Sequence, residues 1–132
     1  MPSSVYLNLP VNDVARSKDF FTNLGFTINE DFSGSENVCV VVNSTIALML
    51  MNYEKFKSFI DKDVAVRSSS EIILSFECES EEEVRSLAEK AVSLGARKIN
   101  GPEDNDFMYS WAFEDLDGHL WDLFWMKGGS KK

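Results

Sequence analysis

Histidine and cysteine are nearly absent from this chain, whose 132 residues include one histidine and two cysteines. Cys39 and Cys78 lie in separate apolar runs without CxxC spacing. That arrangement argues against a thiolate metal site or a disulfide framework and points to packed core thiols. Basic residues are also scarce: 13 lysines and arginines face 22 acids, for a formal charge of −9. Without clustered Lys and Arg there is nothing to neutralise a phosphate backbone, so nucleic acid is excluded as a partner. No run approaches the roughly 20 apolar residues that span a bilayer. The start, MPSSVYLNLP, has neither the basic opening nor the apolar stretch of a secretory leader. The expectation is a cytoplasmic protein that does not engage membranes. No phosphate loop, dinucleotide fingerprint, zinc signature or nucleophile motif is present, which leaves hydrolase, kinase and nicotinamide chemistry without support.

What is there suffices for a core, with 44% apolar and 12% aromatic residues, and the length fits one domain over residues 1–132. The acid surplus reads as a solvated surface, with the ESEEE run at Glu79 to Glu83 as a helix start; it also suits a cationic small ligand.

Along the chain, Val5 to Val11 reads as a strand, and Asn12 or Asp13 caps a helix through Leu24 that Gly25 ends. Phe26 to Asp31, Val38 to Val42 and Ile46 to Met51 read as three short strands. A polar stretch, Asn52 to Ser70, reads as a linker with a short helix around Tyr53 to Ile60 and a flexible RSSS at Arg67 to Ser70. The order then begins again. Glu71 to Cys78 is strand-like, and Ser80 with Glu83 forms a capping box for a helix carrying Val84, Leu87, Ala88, Ala91 and Val92 at helical spacing. Gly95 ends it. Ala96 to Ile99, Met108 to Glu114 and Leu120 to Trp125 supply three more strands, with GPEDND (101–106) and DLDG (115–118) as turns. The prediction is an α+β fold of two βαβββ modules, residues 5–51 and 71–126, joined by a linker over 52–70. Both helices end in Leu-Gly, at Leu24-Gly25 and Leu94-Gly95. Such internal repetition suggests that each module needs another copy to close its core.

Two strings carry a resemblance to a known family. LPVNDVARSKDFFTNLGF (9–26) and FEDLDGHLWDLFW (113–125) resemble the first strand and helix and the last hairpin of the vicinal oxygen chelate superfamily: the glyoxalases, bleomycin-resistance proteins and extradiol dioxygenases. Leu116 stands where that family very often has proline. The resemblance implies curled mixed sheets that form cups, a homodimer, and in many members a divalent metal held from the first and fourth strands of each module. Those positions fall at Tyr6 and Met49 in module one and at Glu71 and Asp122 in module two.

A phenol and a thioether are poor ligands for a borderline or hard cation, whereas two carboxylates are good ones. Glu71 and Asp122 are therefore candidates either as metal ligands or as acid–base groups, since like-charge repulsion and burial would raise one pKa and yield a base for proton abstraction beside a carbonyl. His119 is three residues from Asp122, on the opposite face of an extended chain. Tyr6, Met49, Tyr109, Trp111 and Phe124 are candidates for an aromatic, adaptable substrate pocket, with ordinary core packing as the alternative. Three readings stay open: a lyase or dioxygenase acting on a small oxygen-rich substrate, a non-catalytic dimer binding a cationic aromatic small molecule without metal, or a diverged member whose cup serves another metabolite or only a dimer.

Overall fold

The structure is a computed structural model that describes residues 1–128. Its elements are β1 (Val5–Val11), α1 (Val14–Leu24), β2 (Thr27–Ile28), β3 (Asn37–Val41), β4 (Ile46–Asn52), α2 (Tyr53–Lys57), β5 (Ile73–Glu77), α3 (Glu81–Ser93), β6 (Arg97–Asp104), β7 (Met108–Glu114) and β8 (Leu120–Met126), with a 3-10 turn at Glu30–Phe32. They form two four-stranded mixed sheets, ordered β1-β4-β3-β2 and β5-β8-β7-β6. The α+β architecture of two βαβββ modules read from the sequence is the one observed. The chain divides into two compact units, Met1–Ala65 and a second beginning at Val66.

In the first unit, α1 opens where the Asp13 carboxylate accepts the Arg16 N–H at 3.1 Å and closes at Gly25, whose φ of 114° few residues other than glycine adopt. Ser17, Phe20, Phe21 and Leu24 of this helix are buried, as are Val38, Val40, Leu48 and Leu50 of the strands it packs on. β1 and β4 run parallel, with Asn8 opposite Met49 and Tyr6 opposite Ala47. The strand predicted over Phe26 to Asp31 is shorter than expected. The Asn29 side chain accepts the N–H groups of Asp31 and Phe32, and this local bond winds the chain into the 3-10 turn instead.

In the second unit the capping box closes as the sequence suggests: Ser80 Oγ accepts the Glu83 N–H at 3.0 Å, and the Glu83 carboxylate accepts the Glu79 N–H at 2.8 Å. Val84, Ala88 and Ala91 of α3 are buried. So are Leu74, Tyr109, Trp111, Phe113, Trp121 and Leu123 of the sheet. The Phe113 and Trp121 rings stack with centroids 5.6 Å apart, and Phe76 lies 5.2 Å from Trp121.

Two readings need correction here. β5 begins at Ile73 rather than at Glu71, and only the end of GPEDND turns: Gly101 to Asp104 continue β6, which pairs with β7 through two register shifts, while Asn105 and Asp106 lie in the turn, where Asn105 Oδ1 accepts the N–H groups of Phe107 and Met108. At Gly101, with φ 116°, a Cβ would sit 3.0 Å from Ser110 O and Trp111 Cα. Only glycine lets β6 approach β7 so closely, and the bulged edge strand tolerates Pro102, which has no N–H to donate.

Candidate functional site

Strand alternation gives the second sheet two faces, and α3 covers one of them. On the other, Asp122 stands mid-β8, opposite Ser75 of β5 and Ala112 of β7, with Leu120 and Phe124 as its neighbours along the face. Asp122 is half-buried. Burial pushes its carboxyl above the usual aspartate value, the Ser75 hydroxyl donates to it and pulls the other way, and the charge of Glu103 pushes it up again. Less than full exposure and an acidic neighbour therefore favour holding a proton, while the serine stabilises the charged form.

At the end of this face lies a cleft of about 580 Å³ lined by Arg67, Ser68, Ser69, Ser70, Arg97, Ile99, Glu114, Gly118 and Leu120. Glu114 is its electrostatic centre. Arg97 Nη2 reaches Glu114 Oε1 at 2.5 Å and Arg67 Nη2 reaches Oε2 at 3.0 Å, while Arg67 Nη1 donates to Leu116 O at 2.7 Å. The Arg97 hydrogen bond holds the Glu114 carboxyl below the usual glutamate value against opposing burial, and Arg67 adds to it. Gly118, with φ 90°, makes room for this: a Cβ there would lie 2.6 Å from Arg67 Cγ.

The turn joining β7 to β8 is organised by Asp115, which is only 5% exposed. Its Oδ1 accepts the N–H groups of Asp117 and His119, each at 3.0 Å, and its Oδ2 accepts the Trp121 indole N–H at 3.0 Å. Burial pushes this carboxyl up, and those bonds together with His119 oppose the shift. The Asp-Leu-Asp-Gly string is thus a buried anchor that fixes where β8, and Asp122 with it, enters the sheet.

The residues singled out from sequence fare unevenly. Asp122 and Phe124 share the face turned away from α3. Tyr109 and Trp111 lie on the opposite one, buried, where Trp111 Nε1 donates to Tyr109 Oη at 3.1 Å and the Arg85 guanidinium of α3 sits 5.5 Å from the Tyr109 ring centre. They are core, which removes them from a pocket shared with Asp122. Glu71 is exposed and precedes β5. The residue at the level of Asp122 is Ser75, so the sheet does not pair the two carboxylates. In the first unit Tyr6 is 51% exposed, and Met49 lies level with Asn8 while its sulfur accepts from Asn37 Nδ2 at 3.3 Å. Cys39 and Cys78 are buried free thiols. Burial, with Glu83 and Glu77 adding, pushes Cys78 to about 12. Neither is an available thiolate.

A divalent metal would need several oxygen or imidazole donors at one point. Tyr6, Met49, Glu71 and Asp122 do not provide them: one is a thioether, one lies outside its strand, and among the described residues no three His, Cys, Asp or Glu side chains converge. This donor set does not fit the group. Sequence reasoning missed Arg67, Arg97, Glu114 and Ser75. The first three meet only through strand register and the return of residues 66–70 to the sheet, Ser75 meets Asp122 only through register, and no local pattern marks either.

Residues 3–43 match the family described as Bleomycin resistance protein-like N-terminal. No curated protein matches the chain. Among solved structures it is similar to a hypothetical protein, SA1046, from S. aureus, at 26% identity and a TM-score of 0.81 over 94% of each chain. It is also similar to a glyoxalase-related enzyme from Fulvimarina pelagi, at 17% identity and a TM-score of 0.79, over 95% of this chain and 88% of that one. A third likeness is to the fosfomycin resistance protein FosX from Mesorhizobium loti, at 17% identity and a TM-score of 0.66, over 94% and 92% of the two chains. The resemblance to the vicinal oxygen chelate superfamily stands, and the fold is that of the glyoxalase/bleomycin resistance/dioxygenase proteins.

Proposed function

We propose that this chain, built on the glyoxalase/bleomycin resistance/dioxygenase fold, binds a small oxygen-rich molecule on the open face of its second sheet, with Asp122 as the group that takes or gives a proton there. One observation carries the reading: a half-buried carboxylate in mid-strand, its pKa raised by burial and Glu103, oriented by Ser75 and bordered by Leu120 and Phe124. A carboxylate moved toward neutrality is suited to general acid–base work such as proton abstraction beside a carbonyl. Of the candidate pair read from sequence, we propose the catalytic role for Asp122 alone.

The test is exchange. Small hydroxy- and oxo-carboxylic acids are incubated with the protein in deuterium oxide, and loss of the proton beside the carbonyl is followed by proton NMR. Exchange that is abolished in Asp122→Asn supports the reading. Equal exchange in both proteins, or compounds that bind without exchange in either, would sink it.

The match of residues 3–43 to a bleomycin-resistance family favours a second reading, capture of a cationic aromatic molecule without chemistry. Asp122 and Glu103 would then be its counter-charges. Calorimetric titration with bleomycin distinguishes the two, since binding without proton exchange, lost in Asp122→Asn, favours capture. We also propose that the chain works as a homodimer, a reading supported by the exposed apolar residues Ile72 and Ile73 next to the unpaired edge of β5; light scattering at micromolar concentration checks it.

A further inference from the structure

The Arg67–Glu114–Arg97 cluster is more cationic than its structural role needs. Two guanidiniums meet one carboxylate, leaving one net positive charge in the cleft of a chain whose formal charge is −9. Glu114 is the sequestered partner, with its side chain 12% exposed, while the side chains of Arg67 and Arg97 are 57% and 67% exposed. A guanidinium offers five N–H donors in a planar fork. The bonds among the described residues use two groups of Arg67 and one of Arg97.

Glu114 holds both forks at a fixed spacing, and the glycine at 118 lets the Arg67 stem lie across the turn. Around them stand Ser68, Ser69 and Ser70, with Ile99 and Leu120 as an apolar wall. The volume of about 580 Å³ lies within the range of small-molecule sites, roughly 300–1,000 Å³.

We propose that this cleft binds a small organic anion, its carboxylate or phosphate group held by Arg67 and Arg97 and its apolar body against Ile99 and Leu120. Charge-assisted, forked bonds to preorganised arginines are the strong form of anion recognition, and the serine hydroxyls supply further donors. The binding claim stands on the cleft alone. Its extension rests on the proposed role of Asp122: Leu120 and Asp122 share one face two residues apart on β8, roughly 7 Å along the strand. A molecule anchored at the arginines and long enough to span that distance along the face therefore reaches Asp122. The substrate class of that site is then an oxygen-rich organic anion.

The experiment titrates phenyl phosphate, benzoate and inorganic phosphate into the nitrogen-15-labelled protein, following backbone amides by NMR. The expected result is saturable shifts at residues 67–70, 97–99 and 118–120, stronger for the two aromatic anions than for inorganic phosphate, and weakened by salt. Arg97→Gln lowers the affinity at least tenfold, as loss of a charged hydrogen bond does. Arg67→Gln serves as the second variant should the first fail to fold. Anion affinity is read from these shifts and the chemistry of Asp122 from deuterium exchange, so a failure of the Asp122 reading leaves this result intact. The inference is overturned by shifts that are absent at millimolar anion or scattered over exposed lysines, or by Arg→Gln variants that bind as tightly as the parent.

Discussion

Replacing Asp115 with alanine tests the claim that this one carboxylate fixes the β7–β8 turn. Three donors lose their acceptor: the N–H groups of Asp117 and His119 and the indole N–H of Trp121. The two backbone groups lie in a turn, where water can replace the lost acceptor. Trp121 is 1% exposed, so its indole N–H loses a buried, charged acceptor. That loss costs about 1–3 kcal/mol, and the backbone pair adds about 1 kcal/mol. Relief of the desolvation that raises the Asp115 pKa offsets part of this. The expected net loss is about 2–3 kcal/mol, which in a chain of this size lowers Tm by roughly 10 °C. Urea denaturation followed by tryptophan fluorescence, with far-ultraviolet dichroism as a second probe, measures it. Asp115→Asn, which keeps one acceptor oxygen, falls in between. A loss below about 0.5 kcal/mol in Asp115→Ala, the range of ordinary surface changes, would refute the reasoning.

Two further outcomes follow from the geometry. Because the Asp122 pKa is raised in the folded state, its ionisation costs stability: the penalty is absent below the unfolded value near 3.9, grows as pH rises toward the folded value and is constant above it. Asp122→Asn is therefore more stable than the parent at neutral pH and indistinguishable from it near pH 3 in thermal melts, and a less stable variant at neutral pH would contradict the assignment. Elemental analysis of dialysed protein incubated with nickel, zinc, manganese or iron should give far less than one metal per chain. A stoichiometric metal lost in Asp122→Ala would overturn the conclusion drawn from the donor set.

Helix ends and apolar spacing made the architecture legible, because Asp13, Ser80, Gly25 and Glu83 act through bonds to residues a few positions away. Where the reading failed, the deciding contact was distant or local in an unmarked way. Nothing near Gly101 announces the approach of Trp111, and Asn29 ends β2 through a side-chain bond that competes with the ladder. Aromatic character groups Tyr109, Trp111 and Phe124 in one pocket, although strand alternation alone puts Tyr109 with Trp111 on one face and Asp122 with Phe124 on one face. Alternation could not say that α3 covers the first pair, since that depends on how the strands register. Residues 67–70 read as flexible from composition alone, and their role emerges only from a bond to Leu116, 49 positions from Arg67.

The parallel pairing of β5 with β8 also sets an order of events. β8 lies inside its sheet, between β5 and β7, yet it is the last of the four strands to be synthesised. β6, β7 and β8 can assemble through short antiparallel connections, whereas β5 must wait for a loop of more than 40 residues to close, an entropic cost met only once its partner exists. Folding of this unit is therefore gated by its final strand. Before that, β5 is a bare edge carrying Ile73 and Phe76, the segment of a nascent chain most in need of protection from its neighbours.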